Sequence, residues 1–501
     1  MRKALVMVWA VVALGVASLP GAAQTAAEWT VLVYLNGEST VVADNNYEDA
    51  SIRIFNELEQ VGSSNKVNVV AQWDRGLGDD ELTTNFAGDP NQAWTGTRRY
   101  LVIADPSQAG ADPDALTPAQ LRIASPALVD LGEVDMSLES SLSEFIAWSV
   151  SRFPARHYAL VLSGPGEGWQ AGLLTDPDPG TVLTGLAPRA LTTALTKLKT
   201  ARMGTALEAL LMDTGSSATL ELANQAVELA DTYLGVFPDR QANGGLDYEA
   251  LLRTLSADLP LGQPATEAWL IKVAGAYLAK YPAGSTAYGG EQSVGAGVLR
   301  TAGLPALVTS ADELAAAITS DLRSTAAGLF RVLSQVQRGR PGEYSQQYVD
   351  LEHFARLCAT EFADVPSIVA AAQAVVAAAG GLQVLDTNAA TLDTDFSLGN
   401  FNGLAAYFPS TLDSYDTLYP TATDFGGTGW PQMIQGVYTL YSDRNPPVIT
   451  LISPTNGSTI QENPPTITVS IVDPDAIGGV DPDSITLTFD GQQVAATDFT
   501  Y

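Results

Sequence analysis

The sequence has very few of the residues that disulfides and most metal sites use. Cys358 is the only cysteine among 501 residues, so an intrachain disulfide is impossible. His157 and His353 are the only histidines, which leaves too few imidazoles for a histidine-based metal site. We therefore predict a protein with no disulfide, no metal and no cofactor.

Basic residues are also scarce. The chain has 25 Lys and Arg against 56 Asp and Glu, which gives a formal net charge of −31. Nucleic acid and anionic membrane surfaces repel such an acidic protein, so both are excluded as partners. Beyond the first residues the sequence has no uninterrupted apolar run of spanning length, and we expect no membrane span in the mature chain.

The N-terminus has the pattern of a secretory signal peptide. Met1, Arg2 and Lys3 precede an apolar run from Ala4, and small residues suited to cleavage follow up to Ala23. The apolar run is shorter than the about 20 residues that a membrane helix needs. We predict a signal peptide at 1–23 and a protein that is secreted or held in the cell envelope.

Strand and helix patterns alternate along the first half of the chain. Short continuous apolar runs predict strands, whereas apolar residues at three- and four-residue spacing predict helices. The predicted strands are Trp29–Leu35, Lys66–Trp73, Arg99–Ile103, Tyr158–Leu162, Leu207–Met212 and Thr232–Val236. The predicted helices are Tyr47–Val61, Met136–Phe153, Ala187–Leu198 and Ser217–Ala230. This alternation predicts an α/β fold with a mostly parallel sheet and helices on both faces.

The pattern changes in the second half. From Thr266 to about Ala378 the sequence is mainly helical and rich in alanine, which predicts a helical subdomain or a long insertion. Leu382–Leu385 and Gly403–Phe408 predict further strands, and Met433–Tyr441 predicts a closing helix.

Asn445, Pro446 and Pro447 mark a domain boundary. Three short β segments follow, namely Val448–Ile452, Thr466–Val472 and Ser484–Phe489. They predict a partial immunoglobulin-like sandwich at 446–501, and because a whole one takes about 100 residues we expect the sequence to be a fragment. Its acidic loop from Asp473 to Asp483 fits a solvated turn or a Ca²⁺ site.

Two of the predicted strands end in conspicuous turns. His157–Trp169 reads HYALVLSGPGEGW, a strand that runs into a glycine-rich turn, and Leu211–Ser217 reads LMDTGSS. Ligands of an open α/β sheet bind beyond the carboxyl ends of its strands. We therefore predict a cleft at these turns, with the N–H groups of the next helix facing it. The predicted lining residues are Ser163, Glu167, Trp169, Asp213, Thr214 and Ser216.

Several short motifs, in the same order, resemble the clostripain family (peptidase family C11), cysteine peptidases with a caspase-like α/β fold. The motifs are WTVLVYLN at Trp29–Asn36, NELE at Asn56–Glu59, VNVVAQWDR at Val67–Arg75, RRYL at Arg98–Leu101 and GLAAYFP at Gly403–Pro409. The resemblance implies a caspase-like domain over residues 28–441 with a helical subdomain.

The resemblance also implies a catalytic His–Cys dyad, and this sequence has neither member. The first family motif reads approximately HYALVLWDHGSGW, and Pro165 stands at its histidine while Glu167 stands at its serine. The second reads approximately FDACLMGSLE, where Asp213 and Glu221 are kept and Gly215 stands at the nucleophilic cysteine. Losing either member of a dyad costs about a million-fold in turnover, so the resemblance implies a pseudoenzyme.

The remaining nucleophiles and imidazoles are poor substitutes. Ser216 or Ser217 could act as a displaced nucleophile only with a general base nearby. His157 is separated from the turn by six strand residues, roughly 20 Å, and is therefore too far away to be that base. His353 and Cys358 are five positions apart on one predicted helix, where neighbours are three or four apart.

Carboxylates leave further alternatives open. Glu167 and Asp213 form a candidate pair for acid–base work or for a hard cation, although Asp213 also fits a cap of the following helix. Asp176 belongs to an Asp-Pro-Asp segment that predicts a turn. Asp239 and Asp247 are candidates for the acidic pocket that the family's preference for basic residues implies.

Three functions are consistent with these patterns. We favour a secreted, non-catalytic binding or scaffolding protein at the cell surface, with a peptide or protein ligand in the cleft. The alternative is a secreted peptidase or hydrolase with relocated catalytic residues, either Ser216 or Ser217 or a Glu167 and Asp213 carboxylate site. A third is an adhesin-like surface protein in which sandwich repeats make the contacts.

Overall fold

The structure is a computed structural model. It describes residues 26–38, 47–76, 80–105, 107, 117–176, 184–238, 244–281, 294–382, 398–442, 448–455, 457–459, 466–472, 488–489 and 492–493. The predicted signal peptide, most of the predicted strand at 382–385, the acidic loop at 473–483 and Asp239 lie outside these residues.

Strands alternate with helices through the first half of the chain, as the periodicity predicts. The strands are β1 (Ala27–Asn36), β2 (Val67–Arg75), β3 (Gly96–Leu101), β4 (Ala127–Gly132), β5 (Ala155–Glu167), β6 (Thr175–Asp176), β7 (Thr184–Gly185), β8 (Leu207–Gly215), β9 (Ala230–Phe237), β10 (Gly295–Arg300), β11 (Tyr348–Asp350), β12 (Ala405–Tyr407), β13 (Val448–Ser453), β14 (Thr468–Val472), β15 (Thr488–Phe489) and β16 (Gln492–Gln493).

Helices dominate the second half. The α-helices are α1 (Tyr47–Glu59), α2 (Glu81–Asn85), α3 (Glu139–Arg152), α4 (Gly168–Ala171), α5 (Pro188–Ala201), α6 (Leu220–Ala223), α7 (Tyr248–Asp258), α8 (Gln263–Lys280), α9 (Leu304–Thr319), α10 (Leu322–Leu333), α11 (Leu351–Glu361), α12 (Pro366–Leu382), α13 (Tyr419–Ala422) and α14 (Trp430–Ser442).

One large sheet organises the molecule. Its eight strands follow the order β10-β9-β8-β5-β1-β2-β3-β4. The central pairs β9–β8, β8–β5, β5–β1 and β1–β2 are parallel, while β10, β3 and β4 pair antiparallel at the edges. The predicted fold class, a mostly parallel α/β sheet with flanking helices and a helical region, is therefore confirmed.

Alternate residues of the central strands bury on opposite faces of the sheet, because side chains alternate with a period of two. On β1, Val31 and Val33 belong to the core that α1, α7 and α8 cover, whereas Leu32 and Tyr34 belong to a second core that includes α3, α5 and the helices from α9 to α14. Parallel strands that are covered on both faces are apolar at nearly every position, which explains the continuous runs in the sequence.

Two strands of the large sheet were not predicted, and one predicted helix is much shorter in the structure. β4 and β10 were not predicted; β10 carries Gly295 and Gly297 inside a region whose composition is otherwise helical. The helix predicted at Ser217–Ala230 is shorter, since α6 covers only Leu220–Ala223 and a 3₁₀ turn follows at Asn224–Ala226. Ser217 and Ala218 precede the helix, because their backbone amides donate to the Val236 carbonyl of β9.

The C-terminal segment contains short antiparallel pairs. β13 pairs with β14, and β15 pairs with β16. Every residue of β13 is exposed. The assignment of 446–501 to an immunoglobulin-like domain, like the other domain bounds, stays a prediction. Among the described helices, none combines the length and the apolarity that crossing a membrane requires.

The sheet's central packing makes a prediction. Leu211 in β8 has no exposed surface, so Leu211→Ala should lower the free energy of unfolding by about 2–5 kcal/mol through lost burial and the cavity left behind. Leu128 in β4 is 40% exposed, and Leu128→Ala should cost less than about 1 kcal/mol. Denaturant titration of both variants measures the difference, and equal losses would contradict this packing.

Candidate functional site

The parallel pairing of β5 with β8 brings the two conspicuous turns to one edge of the sheet. Ser163 lies opposite Asp213, and after a register shift Glu167 lies opposite Gly215. Pro165 is in the shifted segment, so the two positions implied for a dyad belong to neighbouring strands. Neither Pro165 nor Gly215 carries an ionisable side chain, and both are buried.

The glycine-rich turn packs closely against its neighbours. Gly164 has φ +153°, and a Cβ there would lie 2.7 Å from the Asn36 carbonyl oxygen of β1. Gly168 has φ +71°, and a Cβ there would lie 2.5 Å from the Tyr348 hydroxyl of β11. Both positions need glycine, because a side chain would meet atoms with little room to move. The glycines therefore let the turn approach β1 and β11.

Trp169 fills the space beside this turn. Its side chain is only 4% exposed, with ring centroids 5.1 Å from Tyr407 at 89° and 5.0 Å from Tyr419. Edge-to-face contacts of this kind add to the burial of apolar area. Trp169, which was predicted to line a cleft, is thus part of an aromatic cluster.

Asp213 is held by neutral hydrogen-bond donors and has no exposed surface. Its Oδ2 accepts from the Ser163 hydroxyl at 3.0 Å and from the Tyr248 hydroxyl at 2.7 Å, and its Oδ1 accepts from the Leu246 amide at 3.2 Å. The prediction that Asp213 caps the following helix is wrong, because α6 begins only at Leu220. Asp213 instead joins β5, β8 and the segment that leads into α7.

The hydroxyls next to Gly215 are buried as well. Ser216 has φ +49°, and its hydroxyl and its amide each donate to the Pro238 carbonyl at 2.8 Å. Ser217 donates to the Met212 carbonyl at 2.8 Å. Thr214 has no exposed surface either. The two serine hydroxyls therefore contact backbone carbonyls, whereas an activated nucleophile would donate to a general base.

Glu167 differs from its neighbours, because it is half-buried rather than enclosed. Burial, and then the Glu343 carboxylate, raise the pKa of Glu167 from 4.5 to about 7. Within the part of the chain that the structure describes, its Oε2 has no hydrogen-bond partner. Asp213, in contrast, is enclosed and accepts hydrogen bonds from Ser163, Leu246 and Tyr248, which weakens the idea of a Glu167 and Asp213 acid–base pair.

The partners recorded for the two histidines lie outside these turns, and the cysteine is buried in a helix. His157 is at the amino end of the central β5 run, where its Nδ1 lies 3.3 Å from Glu208 Oε1. His353 accepts a hydrogen bond from the Gln337 amide at 3.0 Å, and burial lowers the pKa of its imidazole. Cys358 is buried in α11, and burial raises the pKa of its thiol, which disfavours the reactive thiolate.

Two acidic residues have structural positions that the sequence did not indicate. Asp247 caps α7, because its Oδ1 accepts from the Ala250 amide at 2.7 Å. Asp176 is the last residue of β6 and is 2% exposed, and the rest of the turn predicted from Asp176 to Gly180 lies outside the described residues. Asp176 belongs to an acidic cluster that sequence analysis missed, since its members are far apart in the chain.

The sheet and its two turns define a caspase-like α/β protein. A solved structure of a secreted C11 cysteine protease from Bacteroides thetaiotaomicron, in complex with an irreversible peptide inhibitor, superposes with a TM-score of 0.52 at 15% identity, over 80% of this chain and 99% of that one. A second structure from that organism, the secreted C11 cysteine protease iotapain, has a TM-score of 0.50 at 13% identity and covers 82% of this chain and 99% of its own.

This similarity shows that the chain has the α/β fold of the C11 cysteine proteases. No protein-family model matches the sequence, and no curated protein matches it.

The buried hydroxyl of Ser217 makes a prediction about stability. Ser217→Ala removes a hydroxyl that donates to Met212 and accepts from the buried Val236 amide, so the free energy of unfolding should fall by about 1–3 kcal/mol. Ser310 is half-buried, but its hydroxyl makes only an exposed hydrogen bond to the Ala306 carbonyl within α9. Ser310→Ala should therefore change the free energy of unfolding by less than about 0.5 kcal/mol. Denaturant titration checks both, and an unchanged Ser217→Ala variant would contradict this structural role.

Glu167 makes a prediction about pH. A carboxyl whose folded pKa is raised binds more protons in the folded than in the unfolded chain between pH 4.5 and about 7, so stability falls as pH rises through this window. Glu167→Gln should therefore stabilise the protein at pH 8, on the order of 1 kcal/mol after allowance for partial exposure, and should have little effect at pH 4.

Thermal unfolding at both pH values measures this difference. The exposed Glu313→Gln in α9 serves as the control and should show no such pH dependence. If the difference in stability between Glu167→Gln and the parent is the same at pH 4 and at pH 8, the raised pKa is contradicted.

Proposed function

We propose that the protein is a secreted, non-catalytic protein of clostripain-like fold that binds or scaffolds other molecules at the cell surface. One observation carries the proposal: β5 and β8 bring Pro165 and Gly215 together where the resemblance implies a catalytic dyad. The fold keeps the framework of the site, but these two residues supply neither a base nor a nucleophile.

The surroundings of the two positions support a non-catalytic role. Ser216 and Ser217 are the nearest hydroxyls in sequence to Gly215, and both donate to backbone carbonyls. The imidazole of His157 lies beside Glu208, and that of His353 accepts from the Gln337 amide, so the partners recorded for both lie outside the two turns. A relocated Ser–His mechanism would need a rearrangement of both turns.

The burial of the turns bears on how a partner binds. Ser163, Asp213, Thr214 and Ser216 have no exposed surface, while Glu167 at the rim is half-buried. We therefore place a peptide or protein ligand across the rim of the turns rather than in a deep pocket. The net charge of −31 favours a basic partner over an acidic one.

Secretion is supported by two observations. The first residues have the charge and apolar pattern of a signal peptide. The solved structures of similar fold are of proteases described as secreted. A binding role at the cell surface follows from an exported protein without a dyad, and the predicted sandwich segment would hold or extend this domain there.

A peptidase assay tests the proposal. The full chain, incubated under reducing conditions with peptides that carry lysine or arginine before the scissile bond, should show no hydrolysis above buffer. A cysteine-directed peptide inhibitor should not label it, since the Cys358 thiol is buried. Thiol-dependent cleavage that disappears in Cys358→Ala would overturn the proposal.

The same assay recognises the alternative. Cleavage that survives Cys358→Ala but falls in Ser216→Ala or Glu167→Gln would indicate a relocated mechanism. Ser310→Ala removes a hydroxyl on α9 whose hydrogen bond to the Ala306 carbonyl is exposed, and it is the control for each serine variant. Circular dichroism of every variant separates a loss of activity from a loss of fold.

A further inference from the structure

Four acidic side chains converge beside the glycine-rich turn. Glu38 follows β1, Asp74 lies at the end of β2, Glu133 follows β4 and Asp176 ends β6. One carboxylate oxygen of each lies within 4.8 Å of those of the other three. Three of the residues are buried, with exposed fractions of 7% for Glu38, 0% for Asp74 and 2% for Asp176, and Glu133 is exposed at the mouth.

Asp74 is the deepest of the four and gives an independent indication of a ligand. Its Oδ1 accepts from the Thr97 hydroxyl at 2.6 Å. Its Oδ2 is buried and, over the residues that the structure describes, has no hydrogen-bond partner. A buried carboxylate oxygen without a partner is costly, and the cost is greater when other carboxylates surround it. A bound cation would remove both penalties.

The ligand chemistry selects the kind of cation. All four side chains offer oxygen and none offers nitrogen or sulfur, which is the ligand set of hard cations. Ca²⁺ takes six to eight oxygen ligands and accepts several carboxylates, whereas Mg²⁺ keeps several waters and is usually held by only one or two carboxylates. Four carboxylates whose oxygens lie within 4.8 Å of one another therefore favour Ca²⁺. One exposed carboxylate leaves a path by which the ion can enter.

We propose that Glu38, Asp74, Glu133 and Asp176 form a Ca²⁺ site. The proposal departs from the prediction that the chain has no metal site, and it does not depend on the proposed function. The sequence did hold one signal, since Glu38 and Asp74 lie at the carboxyl ends of adjacent parallel strands. Glu133 and Asp176 come from connections whose positions no spacing motif predicts.

The site lies where an ion would stabilise the glycine-rich turn. Asn36 accepts from the Glu38 amide at 3.0 Å and donates from Nδ2 to the Thr175 carbonyl at 2.9 Å. Thr175 precedes Asp176, and its hydroxyl donates to the Pro165 carbonyl at 3.4 Å. The ion would thus fix the ends of β1, β2 and β6, and through them the segment that contains Pro165.

Calcium titration of the full chain tests the site. After treatment with EDTA, the protein should bind Ca²⁺ in calorimetry and its Tm should rise by several degrees, with a smaller rise in Mg²⁺. Asp74→Asn keeps the size of the side chain and an acceptor for Thr97, but it should lower Ca²⁺ affinity at least about tenfold. In EDTA this variant should be more stable than the parent, because one buried negative charge has gone.

Two more variants keep the test decisive. Glu133→Gln changes the exposed member of the cluster, so it should fold normally and still weaken Ca²⁺ binding. Asp130→Asn, on β4 beside Arg98 and 57% exposed, is the matched control and should leave binding unchanged. The absence of Ca²⁺ binding by the parent would overturn the proposal. So would binding that both cluster variants leave intact, which would assign the ion to another place such as the acidic loop at 473–483.

Discussion

The parallel pairing of β5 with β8 is the constraint on which the rest of the structure depends. It sets Ser163 beside Asp213 and, after the register shift, Glu167 beside Gly215. Because both strands are buried on two faces, neither can move without exposing apolar side chains. Asp213 is then enclosed at the junction, and hydrogen bonds from Ser163 and Tyr248 satisfy it. The geometry of the site is thus maintained by packing, whatever chemistry its residues supply.

The same packing extends to the neighbouring segments. Glu221, which the resemblance marks as retained, is fully buried, and it accepts from the Tyr407 amide at 2.8 Å and from the Tyr419 hydroxyl at 2.7 Å. Burial raises the pKa of Glu221 to about 7. Since Tyr407 and Tyr419 also contact Trp169, one aromatic and carboxyl network ties α6, β12 and the glycine-rich turn together. Glu221 therefore has a structural role, because it joins these three segments.

The strands were predictable from the sequence because a run such as Trp29–Leu35 is apolar at nearly every position, which only a doubly covered strand requires. The burial of the side chains at the two turns was not predictable from the sequence. Ser163 and Ser216 look like lining residues, and only partners distant in the chain, Asp213 for the first and the Pro238 carbonyl for the second, show that they are enclosed. Strand β10 was not predicted, because its glycines weaken the apolar pattern of a strand. Its pairing with β9 also joins segments that are far apart in the sequence.

Amide hydrogen exchange tests most directly the central claim that the two turns around Pro165 and Gly215 belong to the packed core. The amide of Ser216 donates to the Pro238 carbonyl, that of Ser217 to the Val236 carbonyl and that of Glu167 to the Gly172 carbonyl. The account predicts that these amides exchange as slowly as those of β1, because they open only with the sheet. Exchange at the rate of exposed loops would show an open, mobile site and would contradict it.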